Sequence, residues 1–224
     1  MIFRGLTIAL AALVLAGCAN KFLKPEGVTE ASLTSSHGIL VGSFSRNPKG
    51  KTYYSQTFYF KNIKTNEIHE IKSQPEFNIF GGKTPDDFKT EESKGGVFAF
   101  VLPAGQYIFN NFRLYQASGS FQQNWRSKED YSIPFDIHPN ATNYIGEIKL
   151  DPATGKNFFG MTVLDGGVWI ISDQWKRDVE LLKRLRSEIP VNNVFSVVPN
   201  KKEVFTPLVV LPNEMNEYLR RKGQ

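Results

Sequence analysis

The chain has 224 residues, with 27 Lys and Arg against 22 Asp and Glu, a formal net charge of +5 and 41% hydrophobic residues. That is enough chain for an ordinary core, and the charge excess is too mild to mark a nucleic-acid surface. One cysteine excludes an internal disulfide framework. The histidines, His37, His69 and His138, have none of the close spacing that a zinc site requires.

Taken in chain order, the first element is a short apolar run from Leu6 to Leu15, preceded by Arg4. A helix of about ten residues spans roughly 15 Å, half the hydrocarbon core of a bilayer, so it is too short to be a transmembrane anchor. A basic start, a short apolar stretch and small residues at its end describe a secretory signal over residues 1–17. The run ends in Leu15-Ala16-Gly17-Cys18, which resembles the lipobox of bacterial lipoproteins. That resemblance implies cleavage before Cys18 and attachment of a diacylglycerol to its thiol, with Cys18 as the lipid-attachment site. It also explains the single thiol, since an odd cysteine in an exported chain is a liability unless it is used. Several acyl chains would hold the protein on a membrane permanently. Ala19 and Asn20 follow where an aspartate would signal inner-membrane retention. The same resemblance therefore implies the outer membrane, with the protein facing the periplasm.

Residues 18–37 are mostly polar and read as a tether. Period-two patterning begins at residue 38. Strands are expected at 38–44, 51–61 and 67–72, separated by Asn47-Pro48-Lys49-Gly50 and by Thr65-Asn66. Residues 73–95 read as a long loop. They contain Gly81-Gly82-Lys83-Thr84, but a phosphate-binding loop needs a glycine where Phe77 stands, and Pro85 falls where its helix should begin. Nucleotide binding is excluded on that ground. Further strands are expected at 96–102, 107–115, 131–137 and 143–150. Pro103-Ala104-Gly105 forms a turn that gives Gly105 a positive φ and points Tyr107 inward. A last hairpin is expected over 157–172, with Asp165-Gly166 as its turn. Turn signals about every ten residues indicate a β-sandwich or barrel.

The stretches LPAGQY (102–107) and IPFDIHPNATNYIGEIKL (133–150) resemble the transthyretin-like or carboxypeptidase-regulatory-like β-sandwiches found in many bacterial lipoproteins. The likeness covers about residues 38–150 and lies in turns and core positions, so it implies a mainly β, antiparallel, Ig-like sandwich and no activity. From 173 to 189 the period becomes helical. Trp175, Val179, Leu182, Leu185 and Ile189 share one face, and Leu181 falls outside it. Ser172 or Asp173 would cap this single amphipathic helix. Its apolar face is expected to pack on the sandwich; the alternative is contact with anionic lipid. Short edge strands follow in 194–198 and 206–211, inside one domain spanning 38–212. Residues 213–224 read as a frayed, basic tail with helical potential.

The expected function is a non-enzymatic binding or assembly module on a lipid anchor, without cofactor or metal. The alternatives are an accessory subunit of a larger envelope complex and a glycan or peptide hydrolase. No nucleophile motif supports the last: Ser118-Gly119-Ser120 lacks the flanking glycines of a nucleophile elbow. The acidic residues Asp86, Asp87, Glu91 and Glu92 read as a solvated loop. Phe121 and Trp125, in the second long loop at 116–130, are the candidate partner contacts, and the two loops together could form one concave site.

Overall fold

A computed structural model describes residues 27–73, 86–118 and 121–223. Among these described residues, twelve strands form two sheets. They are β1 (His37–Arg46), β2 (Ser55–Asn62), β3 (Ile68–Ser73), β4 (Phe88–Lys89), β5 (Lys94–Pro103), β6 (Gly105–Ser118), β7 (Phe121–Arg126), β8 (Ile133–Ile137), β9 (Thr142–Lys156), β10 (Thr162–Ser172), β11 (Val194–Ser196) and β12 (Val209–Val210). Two helices follow β10: α1 (Trp175–Leu185) and α2 (Met215–Lys222).

The first sheet has the order β12-β10-β9-β1-β5-β4, with β11 also on β9; the second has β3-β2-β6-β7, with β8 also on β6. One core lies between them. Leu40, Phe44, Phe98 and Trp169 from the first sheet meet Phe58, Phe60 and Phe109 from the second. The rings of Phe58 and Trp169 cross the interface at 4.9 Å. The first half of strand β1 is apolar on both faces because both are covered. Leu40 and Phe44 face the second sheet, while Ile39 and Val41 face α1 in a second cluster with Tyr144, Leu181, Leu182 and Ile189. That second cluster also takes in Val28, which lies inside the segment read as a tether.

The mainly β reading and most strand positions agree with the sequence; six details differ. First, the pairing is not wholly antiparallel. Strand β1 runs parallel to β9, β11 is parallel to β9, and β12 is parallel to β10. Long connections bring distant segments alongside strands whose local patterning says nothing of direction. Second, Asp165-Gly166 is not a hairpin turn. It is a bulge within β10, where two residues oppose one of β9 between the Leu164–Thr154 and Gly167–Pro152 pairs. Gly166 has φ +79°, which suits a bulge as well as a turn. The hairpin turns instead at 157–161, where Gly160 N–H donates to the Asn157 carbonyl at 2.9 Å.

Third, the expected loop at 116–130 contains β7, an edge strand on β6. Its alternation is weak because much of it is solvated: Gln122, Asn124 and Arg126 are exposed. Fourth, the other expected loop, 73–95, contributes β4 and the start of β5; residues 74–85 lie outside the described residues. Fifth, α1 stops at Leu185 rather than 189, and its buried positions are Asp178, Leu181 and Leu182. Leu185 is 39% exposed. Ile189 is buried, but it reaches the core from the turn after the helix, so aligning it with the helix rotates the inferred face. Sixth, the C-terminal segment forms a second helix. Tyr218 of α2 donates its hydroxyl to Asp151 Oδ2 at 2.6 Å, and Lys222 pairs with the same carboxylate.

The turn at Pro103-Ala104-Gly105 matches expectation. Gly105 has φ +148° and Tyr107 is fully buried. The Tyr107 hydroxyl donates back to the Pro103 carbonyl at 2.9 Å. A Cβ at 105 would meet only the Asn62 amide nitrogen, at an ordinary 3.9 Å, so strain in the backbone, not crowding, is what restricts that position.

Candidate functional site

Two features stand out against this frame: a layer of charge buried beneath α1, and an apolar tip held out into solvent.

The buried layer begins on β1. Ser43 and Ser45 alternate with Phe44, so they leave the core face and point toward α1. Glu147 on β9 is their neighbour in register, paired across from Ser43. Asp178 and Arg177 descend from the first turn of α1. Ser43 Oγ donates to Asp178 Oδ2 at 2.7 Å, and the Tyr144 hydroxyl donates to the same oxygen at 3.0 Å. Arg177 donates from Nε to Asp178 Oδ1 at 2.8 Å and from Nη1 to Glu147 Oε1 at 3.1 Å. Ser45 Oγ donates to the same Glu147 oxygen at 2.7 Å. The guanidinium also lies over the Phe88 ring, 3.9 Å from its centroid. Tyr144 accepts a bond from the Gln174 amide at 3.0 Å, which ties the start of α1 to β9.

Asp178 is 0% exposed and Glu147 2%, so two buried carboxylates share one partly exposed guanidinium. Burial pushes the Asp178 carboxyl above its ordinary range; Arg177, Ser43 and Tyr144 oppose that and only partly offset it. Burial, with Asp178 beside it, likewise pushes the Tyr144 phenol well up. Each group already has partners inside the cluster. Chemically, the arrangement holds α1 onto the sheet: both Ser43 and Tyr144 spend their protons on Asp178.

The tip lies at the other end of β9. Strand β1 leaves β9 at Leu150, its last partner, and β9 continues to Lys156 paired with β10. Six more residues extend this two-stranded arm by about 20 Å. Its sides are largely polar, with Thr154, Lys156, Thr162 and Asp165 exposed, while its turn carries Phe158, Phe159 and Met161 at 97%, 79% and 57% exposure. Asn157 Oδ1 accepts bonds from the Phe159 and Met161 amides at 3.0 and 2.9 Å. Asn157 and Gly160 thus make the turn, and nothing in its backbone bonding requires aromatic residues between them. The two phenyl rings meet edge to face at 5.4 Å. On the arm's flank, Lys51 donates to the Thr162 carbonyl and Lys156 to Thr162 Oγ1. Tyr53 donates to the Gly166 carbonyl at 2.7 Å, and its phenol is pushed up to about 12 by burial.

The residues singled out in the sequence fall elsewhere. Cys18 lies outside the described residues. Phe121 opens β7 opposite Ser118. Trp125 packs against the main core and meets Tyr53 edge to face at 5.0 Å, so it serves as a lid on the interior. In the acidic segment, Asp86 pairs with Arg46 at 2.9 Å, and Asp87 accepts the Val97 amide at 3.0 Å. Among the described residues no group of three or more His, Cys, Asp or Glu side chains is placed to hold a metal ion. His138 stacks on Phe195 and His69 on Phe60. The buried cluster and the tip were both missed. Ser43 and Ser45, on the face of β1 opposite Phe44, were the available signal for the first. For the second it was two adjacent phenylalanines beside a glycine.

The chain matches no protein-family model and no curated protein. Among solved structures, a leucine-rich repeat protein from Bacteroides thetaiotaomicron is 12% identical, over 84% of this chain and 28% of that one, with a TM-score of 0.30. The chain thus spans little more than a quarter of that protein's length, and so weak a likeness carries no argument.

Proposed function

We propose that this protein is a lipid-anchored protein of the bacterial envelope, attached through Cys18 to the outer membrane and facing the periplasm. Its β-rich body, read as a transthyretin-like sandwich, is a binding or assembly module rather than a catalyst. The single observation that carries the binding role is the arm: Phe158, Phe159 and Met161 are displayed to solvent by a fold that has no structural use for them there. An apolar cluster on a protruding tip is what a contact element requires. The buried charges, by contrast, are engaged with one another. The anchoring role rests on the Leu15-to-Cys18 motif. The accessory-subunit alternative draws on the same arm and differs only in what the arm meets.

The anchor is tested by Cys18→Ser. The wild-type chain should incorporate radiolabelled palmitate and fractionate with membranes, and the variant should do neither. If Cys18→Ser reaches the same mature mass and still fractionates with membranes, the lipid-anchor reading is wrong.

A further inference from the structure

The apolar surface at the tip of the β9–β10 arm is small and convex. It consists of three side chains on one turn, and a stable protein interface buries on the order of 1,200–2,000 Å² over both partners. A single turn cannot supply its half without flanking surface of the same character, and the arm's exposed flanks carry Thr154, Lys156, Thr162 and Asp165. A bilayer makes a different demand. It needs no matching concave surface, only apolar side chains that can leave water together and a backbone whose polar groups are already satisfied. The tip meets the first condition and, for most of its amides, the second. Asn157 and Gly160 close the turn internally, so the Phe159, Gly160 and Met161 amides all have acceptors within it. Phenylalanines at such a tip would enter the boundary between headgroups and acyl chains.

The charges nearest the tip agree. Lys51 and Lys156 are exposed and both reach Thr162, one residue beyond Met161. The opposing charge is Asp165, beside Gly155 and therefore further down the arm. A pair of cations beside an apolar tip suits a surface containing anionic lipid.

We infer that the arm is a membrane-inserting element, with Phe158, Phe159 and Met161 entering the headgroup boundary of a bilayer and Lys51 and Lys156 contacting its anionic headgroups. This deepens the binding role proposed above, and its test does not depend on lipidation.

Because Cys18 is the only cysteine, the full chain carrying Cys18→Ser can take a single environment-sensitive label at a second site. Phe159→Cys places the label on the tip. Lys64→Cys places it on the exposed β2–β3 turn, at the opposite end of the sheets. Each labelled chain is mixed with phosphatidylcholine vesicles, with and without phosphatidylglycerol, some carrying a quencher on the acyl chain. The expected result is a blue shift and acyl-chain quenching at 159 and neither at 64. The lipid concentration giving half the signal should rise about fivefold for each of Lys51→Gln and Lys156→Gln on anionic vesicles. If the chain sediments with vesicles while the label at 159 stays in water, membrane contact is made by another segment, such as residues 6–15, and the inference is overturned without touching the anchor. A shift at 159 that grows with protein concentration in the absence of lipid overturns it in favour of contact between copies. No response at 159 under any lipid condition also overturns it.

Discussion

The layer under α1 and the tip of the arm invert the usual distribution of residues. Charge is buried at the first and apolar surface is exposed at the second. They differ in what satisfies them. Asp178 receives hydrogen bonds from Ser43, Tyr144 and Arg177, so its surroundings replace the water it lost. Among the described residues, the phenyl rings at 158 and 159 make their one ring contact with each other. A buried charge with every partner in place locks structure, whereas an exposed apolar group with no partner in its own fold is available to something else. Stability thus gathers where α1 meets β9, and the proposed contact element sits at the far end of the same strand.

The largest effect should come from removing the cation shared by the two buried carboxylates. Arg177→Met leaves Asp178 and Glu147 facing each other without their counter-ion, and should cost about 3–5 kcal/mol in chemical denaturation. A loss below about 1 kcal/mol would mean that the layer is not a lock.

A smaller effect concerns pH. The Asp178 carboxyl is raised in the folded state, so on a rise from acid the unfolded chain ionises first, near 3.9. Between the two pKa values the folded state holds more protons. The contribution of this group to stability is therefore full below the unfolded pKa and declines as pH rises through the folded one. Asp178→Asn removes that slope. The stability of wild type relative to Asp178→Asn should fall from pH 4 upward, and a pH-independent difference in paired melts would contradict the assigned environment. Asp151 acts in the opposite sense in both proteins and cancels in the comparison. Burial would raise its carboxyl, but hydrogen bonds from Lys222 and Tyr218 outweigh this and lower it.

The smallest effect should be at the tip. Replacing Phe158 and Phe159 together by Ser should leave the melting free energy within about 0.5 kcal/mol of wild type, as for surface positions outside any packed feature. A loss like that of a core phenylalanine, about 3–5 kcal/mol, would show that the rings are structural and would dissolve the contrast.

Much of the fold was legible because the strands of the sheets alternate or are flanked by turn residues, as at KTYYSQTFYFK and Pro103-Ala104-Gly105. What escaped did so for identifiable reasons. An Asp-Gly pair serves a bulge and a turn alike, so Asp165-Gly166 could not place the hairpin. Edge strand β7 has too few buried side chains to show a period. Glu147 and Asp178 are charged, and by composition such residues belong in water; only the partners brought together from β1, β9 and α1 make their burial tolerable. Phe158 and Phe159 suit a strand interior as well as a turn, and the shift of the hairpin by several residues separates the two.

The parallel pairing of β1 with β9 has a consequence in time. Strand β1 sits in the middle of its sheet, between β5 and β9, and Ile39 finds its partner Thr142 only 103 residues later. Closing so long a stretch must precede the contacts that reward it, so the sheet has high contact order and folds slowly. A chain emerging residue by residue cannot complete its central strand until more than 140 residues are out. Until then β1 can pair with β5 alone, and its other edge has no neighbour.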